Sequence, residues 1–333
     1  VTYDFSLKEY IAMSTAQWPA LTLEKRISLM SVPANGRVPI VIDSDTYNEI
    51  DDQMAIAWAY LNPQRLDLQA VYAAPFTNHF FGEGSSHTYV DNPETGMTLS
   101  VEEIHRVFEK LPLRQARPGI FKGATRYLTG SETPECSPAV ADLIARARSA
   151  TQTLHVLSIA APTNIASALL LAPDIIDKIH VIWLGGNSYD WKDNQEFNLM
   201  QDIAASRVLF DSGVALTQIP CFGVANCMAS SVPEMQFYFA STSRIGSYFA
   251  EIAPRCPWIG FASRKVIWDI TTVGYVLDPD WYTCQYRPAP LINDNLSWSF
   301  DNRRHLIRVV QFIERDNLFR DMFRKIIDAD KEG

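Results

Sequence analysis

Positive charge is scarce in this sequence: 29 Lys and Arg stand against 38 Asp and Glu, for a net charge of −9, and no long basic run occurs. Binding to a polyanion needs clustered cations against phosphate, so nucleic acid is excluded as an expected partner. The short basic groups at Arg303, Arg304 and at Arg320, Arg324, Lys325 read as solvated helix faces. Cysteine is equally thin. Cys136, Cys221, Cys227, Cys256 and Cys284 are odd in number and form no C-x-x-C pair. This excludes a disulfide framework and a cysteine zinc site, and predicts reduced, buried thiols in a cytoplasmic protein. No uninterrupted apolar run reaches membrane length. Leu154 to Ala172, the most apolar region, is broken by Ser158, Thr163, Asn164 and Ser167, and reads as a strand followed by a helix. A basic-apolar-small leader pattern, internal repeats and low-complexity tracts are also missing. What remains is a chain that is 47% hydrophobic over 333 residues, ample for a sizeable core.

The stretch that organises the rest is Val38 to Leu61, where Asp43, Asp45, Asp51 and Asp52 place four carboxylates in ten residues at the end of an apolar run. Two carboxylates ~4 Å apart repel by roughly 4 kcal/mol at an effective dielectric of 20. A folded site holding several of them therefore needs protonation, solvation or a cation. Ile40 to Ile42 reads as a buried strand, and Asp52, Met54, Ile56, Trp58, Ala59 and Leu61 suit a helix packed on it. The acidic loop is then a strand-to-helix turn at the carboxyl edge of a sheet, where ligands bind in open α/β folds. Oxygen-only ligands favour a hard ion, with Ca²⁺ better suited than Mg²⁺ to an irregular, oxygen-rich loop. An EF-hand is excluded by spacing, since its glycine and final glutamate would fall on Asn48 and Met54. The bland alternative is a solvated turn in which Asp51 and Asp52 cap the helix.

Along the chain, residues 1–37 read as an N-terminal extension, with a short helix over Leu21 to Met30 and a linker at Pro33 to Gly36. Residues 38–333 read as one domain. Leu66 to Ala74 is a second strand, and residues 79–96 a polar loop. Ser100 to Glu103 carries a capping-box pattern ahead of Ile104, Val107, Phe108 and Leu111. Helices are predicted at Ala139 to Arg148, Pro162 to Leu171 and Asp202 to Phe210, and strands at Leu154 to Ala160, Ile179 to Leu184 and Ala215 to Pro220. A further helix over Thr272 to Leu277 stops at Asp278-Pro279, and Leu306 to Phe323 reads as a closing helix. This alternation predicts an α/β protein: a Rossmann-like, mostly parallel mixed sheet with helices on both faces.

At this level of detail the chain resembles the inosine-uridine-preferring nucleoside hydrolase family. The resemblance is carried, in order, by Asp43-Ser-Asp45 with Asp51-Asp52, by Asn78 at a strand end, by Ala161 to Ala166 (APTNIA), by Gly185-Gly186 with Glu196-Phe-Asn198, and by Trp268-Asp269. It implies hydrolysis of the N-glycosidic bond of ribonucleosides with a calcium-bound water. It also implies Asp45, Asp52, Asp269 and the Ile159 carbonyl as metal ligands, with Asp45 also the general base. Asp51, Asn78, Glu196, Asn198 and Asp269 would hold the sugar, and Asp43 would support the metal site. A homodimer or homotetramer follows from the same resemblance.

Two departures stand out. Five residues, Thr46 to Ile50, separate Asp45 from Asp51, where the common family turn is shorter and carries a Pro-Gly pair. Trp268 occupies the position of a histidine that many members use to protonate the leaving base; tryptophan cannot do so, but it can stack on a purine. Phe121, Tyr127 and Tyr189 are candidates for the opposite face of that stack, and His79, His87 and His105 for an alternative acid. Two readings of other classes remain open: a non-catalytic, calcium-dependent ribosyl or nucleoside binder, and a haloacid-dehalogenase-like Mg²⁺ phosphatase using the VIDSDT strand end.

Overall fold

The strand that carries the acidic turn, β1 (Val38–Ser44), is buried along almost its whole length because it has cover on both faces. Ile40 and Ile42 enter one hydrophobic cluster with the helix Asp52–Tyr60, while Val41 enters another with the helices Pro138–Ser149 and Thr163–Leu171. Near-continuous apolar composition is what a doubly covered parallel strand requires. In this computed structural model the described residues are 18–78, 89–113, 115–130, 133–255, 259 and 261–331.

The main sheet also contains β2 (Leu66–Ala73), β3 (Gly119–Lys122), β4 (Leu154–Ser158), β5 (Ile179–Leu184) and β6 (Ala215–Ile219). After these come the small pair β7 (Ala229–Ser230) and β8 (Lys265–Val266), then β9 (Tyr282–Pro288), the hairpin β10 (Leu291–Ile292) with β11 (Trp298–Ser299), and β12 (Leu306–Ile313). The eight-stranded order is β3-β2-β1-β4-β5-β6-β12-β9, parallel except for β9, which runs antiparallel to β12. Strand order reverses between β1 and β4, whose register pairs Ile40 with His155 and Asp43 with Ser158. Chains leaving β1 and β4 diverge to opposite sides there, opening a crevice at the carboxyl edge.

Most predicted elements appear close to their expected bounds, and the exceptions have physical causes. Leu306 to Phe323 is not one helix: Leu306–Ile313 is β12, and a helix follows at Arg315–Ile327. The first half, LIRVVQFI, is rich in β-branched residues and lies against β6 and β9, so sheet pairing prevails over its helical spacing. The Ser100 capping box is not a helix start either. The helix is Pro93–Lys110, with Asn92 accepting from the N–H groups of Glu94 (2.9 Å) and Thr95 (3.3 Å), and Ser100 is buried in its interior. Cys136 and Cys227 are exposed, so the thiols are not uniformly buried. Arg303 and Arg304 lie in a turn, Arg304 donating to the Phe210 carbonyl at 2.7 Å, whereas Arg320 and Arg324 are exposed on a helix. The N-terminal helix is Leu23–Leu29, held by Arg26 donating to the Gly213 carbonyl at 2.7 Å. Among the described residues no helix is long and apolar enough to cross a membrane.

Candidate active site

At the crevice, β1 delivers Asp43, the turn after it Asp45 and Asp51, the start of the helix Asp52–Tyr60 delivers Asp52, the residue after β4 is Ile159, and Asp269 immediately precedes the helix Ile270–Leu277. All five aspartates are at most 5% exposed. One carboxylate oxygen each from Asp51, Asp52 and Asp269 lies within 4.8 Å of the others. Asp45 stands beside this group, with Oδ2 buried and without a hydrogen-bond donor. Neither Asp51 nor Asp269 makes a side-chain cap bond to the helix it precedes, so a simple capping role does not explain them.

Each carboxylate has a distinct set of partners. Asp52 accepts from Ser44 Oγ at 2.6 Å. Asp51 accepts from the Trp268 N–H at 2.8 Å and from Lys265 Nζ at 3.0 Å. Asp43 accepts from Asn164 Nδ2 at 2.8 Å, while its carbonyl takes the Ile159 N–H at 2.9 Å. Asn164 of the APTNIA segment and the Ile159 N–H thereby tie the β4 end to the β1 end, and Ile159 lines the cavity.

The electrostatics follow from burial and crowding. Burial raises Asp43 to about 7 against the opposing Asn164 bond, and burial plus the Asp51 charge raises Asp52 to about 7. Burial, then Asp52 and Glu49, push Asp45 well above the usual carboxylate range; burial, then Asp51, Asp52 and Asp45, do the same to Asp269. Such a group resists full ionisation without a counter-cation. A hard divalent ion fits this donor set: the convergent buried carboxylates of Asp51, Asp52 and Asp269 beside an orphaned Asp45 oxygen.

The cavity above the carboxylates has a volume of about 270 Å³ and is lined by Asp45, Asp51, Asp52, Asp269, Ile159, Glu196, Asn198 and Trp268 among others. Glu196 and Asn198 arrive through a turn that depends on Gly186, whose φ of +67° favours glycine. The Gly186 N–H donates to Glu196 at 2.8 Å, as do the N–H groups of Asn198 and Leu199, each at 3.0 Å. Burial raises Glu196, and these backbone donors oppose the rise. Asn198 donates to the Leu184 carbonyl at 3.0 Å. Asn78 is buried but does not line the cavity, its side-chain oxygen accepting from the Val90 N–H at 2.7 Å.

Several wall residues had no signal in the sequence. Phe222, just beyond β6, lines the cavity with its ring centroid 5.4 Å from that of Trp268, and itself stacks on Trp191 at 5.5 Å. Phe121, Tyr127 and Tyr189 do not line it. Phe121 packs on Tyr72, the Tyr127 hydroxyl donates to Gln201, and Tyr189 packs on Trp298 and Phe300. Of the histidines considered as acids, His105 is exposed and away from the cavity, and His79 and His87 lie outside the described residues. Cys221 and Glu49 also line the wall, and Lys265 stands behind it at 2% exposure.

A Rossmann-like sheet with a buried carboxylate cluster at its switch point defines a class of α/β protein whose carboxylates could hold a metal ion. Within that class the sequence matches the family described as inosine-uridine preferring nucleoside hydrolase over residues 40–295, and the chain belongs to it. A pyrimidine-specific ribonucleoside hydrolase of Shigella flexneri is 30% identical over 128 residues, covering 35% of this chain and 40% of that protein. The chain thus matches less than half the length of that relative. Among solved structures, a purine-preferring ribonucleoside hydrolase from Gardnerella vaginalis superposes with a TM-score of 0.66 at 17% identity, covering 87% of this chain and 98% of that one. An inosine-uridine preferring nucleoside hydrolase from Bacillus anthracis gives 0.62 at 13% identity, with 88% and 99% covered. These structures share the fold.

Proposed function

We propose that this chain hydrolyses the N-glycosidic bond of ribonucleosides at a calcium site held by Asp45, Asp52, Asp269 and the Ile159 carbonyl. The observation that carries the reading is the buried Asp45 oxygen without a donor, set beside convergent carboxylates at the sheet's switch point. Calcium, when bound, lowers the pKa of water and offsets the carboxylate charge. Asp45 takes the proton of the attacking water as its oxygen adds to the anomeric carbon. The C–N bond breaks with its electron pair leaving on the base, which takes a proton from solvent while Asp45 returns its own to solvent, and the carboxylates stabilise the positive charge that grows on the sugar ring. Asp51 and Asp269 accept from ribose hydroxyls, Glu196 and Asn198 bound the rest of the sugar, and Asp43 fixes the β1 end. We assign Asn78 an indirect role, through the Val90 segment, because its amide oxygen is already engaged.

Purines are the favoured bases in this proposal, since Trp268 and Phe222 offer aromatic surface at the cavity wall. The test is release of reducing sugar from a panel of purine and pyrimidine ribonucleosides, with and without EDTA. Calcium-dependent release with purines ahead supports the proposal. Saturable nucleoside binding without product would make the chain a binder instead, and release that survives EDTA would remove calcium from the reaction.

A further inference from the structure

Asp51 and Asp52 are neighbours in sequence, equally buried, and both part of the group whose oxygens lie within 4.8 Å of Asp269. Something must decide which of them meets a cation. The wide turn and the short ladder β7–β8 supply a difference. β8 pairs Lys265 with Ser230, and the side chain runs inward to 2% exposure. There Nζ donates to Asp51 Oδ1 at 3.0 Å, to Glu49 on the inserted turn, and to the Val266 carbonyl at 2.7 Å. The Trp268 N–H donates to Asp51 Oδ2 at 2.8 Å. Both Asp51 oxygens thus carry a donor, one of them a full positive charge, whereas Asp52 Oδ1 accepts from the neutral Ser44 hydroxyl.

We propose that Lys265 is a positioning residue that acts as a resident cation, holding Asp51 out of the metal ligand set and keeping it directed at the substrate sugar. Glu49 completes this device. It anchors the ammonium from the turn that has lost the family's Pro-Gly pair, so the Glu49–Lys265–Asp51 contact ties the longer turn to the segment bearing Trp268 and Asp269. The inference rests on the metal site proposed above, but its test requires no turnover.

Calcium binding to the full chain, measured by titration calorimetry after EDTA treatment, reads it directly. Lys265→Met removes the charge and frees Asp51 and Glu49, so calcium affinity rises by about tenfold or more, while KM for any cleaved nucleoside increases. Lys265→Arg keeps wild-type affinity. Adding Asp51→Asn to Lys265→Met cancels the gain. A merely structural lysine gives the opposite sign: weaker calcium binding in step with a lower melting temperature, which overturns the proposal. Should Lys265→Met fail to fold, single variants decide. Asp51→Asn then costs about tenfold in calcium affinity, the effect of one charge, and Asp52→Asn about a hundredfold or more, the loss of a ligand. Equal losses overturn the sorting role. A wild-type chain that binds no calcium sinks both this inference and the metal site, whereas one that binds calcium but cleaves no nucleoside sinks only the proposed activity.

Discussion

Asp45→Asn should stabilise the cation-free protein while abolishing most of its activity. Asp45 is 3% exposed, its Oδ2 has no donor, and Asp52, Glu49 and Asp51 all act on it as like charges. One carboxylate pair at ~4 Å costs roughly 4 kcal/mol at an effective dielectric of 20. Part of that cost is already avoided, because burial and crowding push Asp45 towards its protonated form. A net gain of about 1–3 kcal/mol is what remains after that relief. Asparagine matches the volume, and its amide N–H₂ can donate towards the neighbouring carboxylates. In EDTA, a gain of that size raises the melting temperature by a few degrees, on the order of 2–4 °C per kcal/mol for chains somewhat smaller than this one. In calcium the order reverses, because wild type gains binding energy that the variant has lost. Removing the proposed general base should lower kcat by about 10²–10⁴-fold. Thermal unfolding with and without EDTA, alongside nucleoside turnover, measures all three. A variant less stable than wild type in EDTA would refute the account of these carboxylates as mutually repelling, and retained turnover would refute the role of Asp45.

Calcium affinity should climb as pH rises through about 7, because Asp52 sits near that value without a cation and must shed its proton to bind one; titrations at pH 5.5 and 8 check this. Trp268→Ala should lower kcat/KM for purine nucleosides by roughly ten- to a hundredfold, the worth of one base-stacking face, with a smaller effect on pyrimidines. His155 is held neutral by burial, its pKa lowered to about 3, so the stability it contributes is complete above the unfolded value of 6.5 and is lost as pH falls from there towards 3. Asp43 and Asp52, raised in the fold, oppose this between 3.8 and about 7, where stability rises as pH falls. The histidine is therefore read as a difference: urea unfolding of wild type and His155→Asn should diverge by about 1.4 kcal/mol per pH unit below 6.5.

What could be read in advance, and what could not, divides along the range of the interactions. β1 and β5 announce themselves because a doubly covered parallel strand must be apolar throughout, and Ile179 to Leu184 is placed to the residue. The aspartates were legible for a related reason: four carboxylates beside a buried strand require an explanation that local structure does not offer. β12 was missed because its sequence permits either period, and only its neighbours β6 and β9, distant in the chain, decide between them. Phe222 and Lys265 were illegible in the same way. Lys265 enters the site through a two-residue ladder with Ser230, and its partner Glu49 lies 216 positions away.

The same distinction bears on how the site works. Ligand identity in an acidic turn is usually inferred from spacing, yet Asp51 and Asp52 are adjacent, and spacing cannot tell a metal ligand from a sugar acceptor. In the proposed site the difference lies in what arrives from elsewhere: Ser44 Oγ to Asp52, Lys265 Nζ and the Trp268 N–H to Asp51. A turn that has lengthened and lost its Pro-Gly restraint costs more to order on folding, and a partly buried ion pair from Glu49 to Lys265 is one way to recover the restraint. Removing Lys265 also breaks its fully buried pair with Asp51, a loss of about 3–5 kcal/mol in general, so the turn and the lysine are coupled through one ammonium. Restoring a short Pro-Gly turn in place of Thr46 to Ile50 would then remove the Glu49 contact from Lys265 while keeping those to Asp51 and the Val266 carbonyl, and should make Lys265→Met cost less in stability than it does in the present chain.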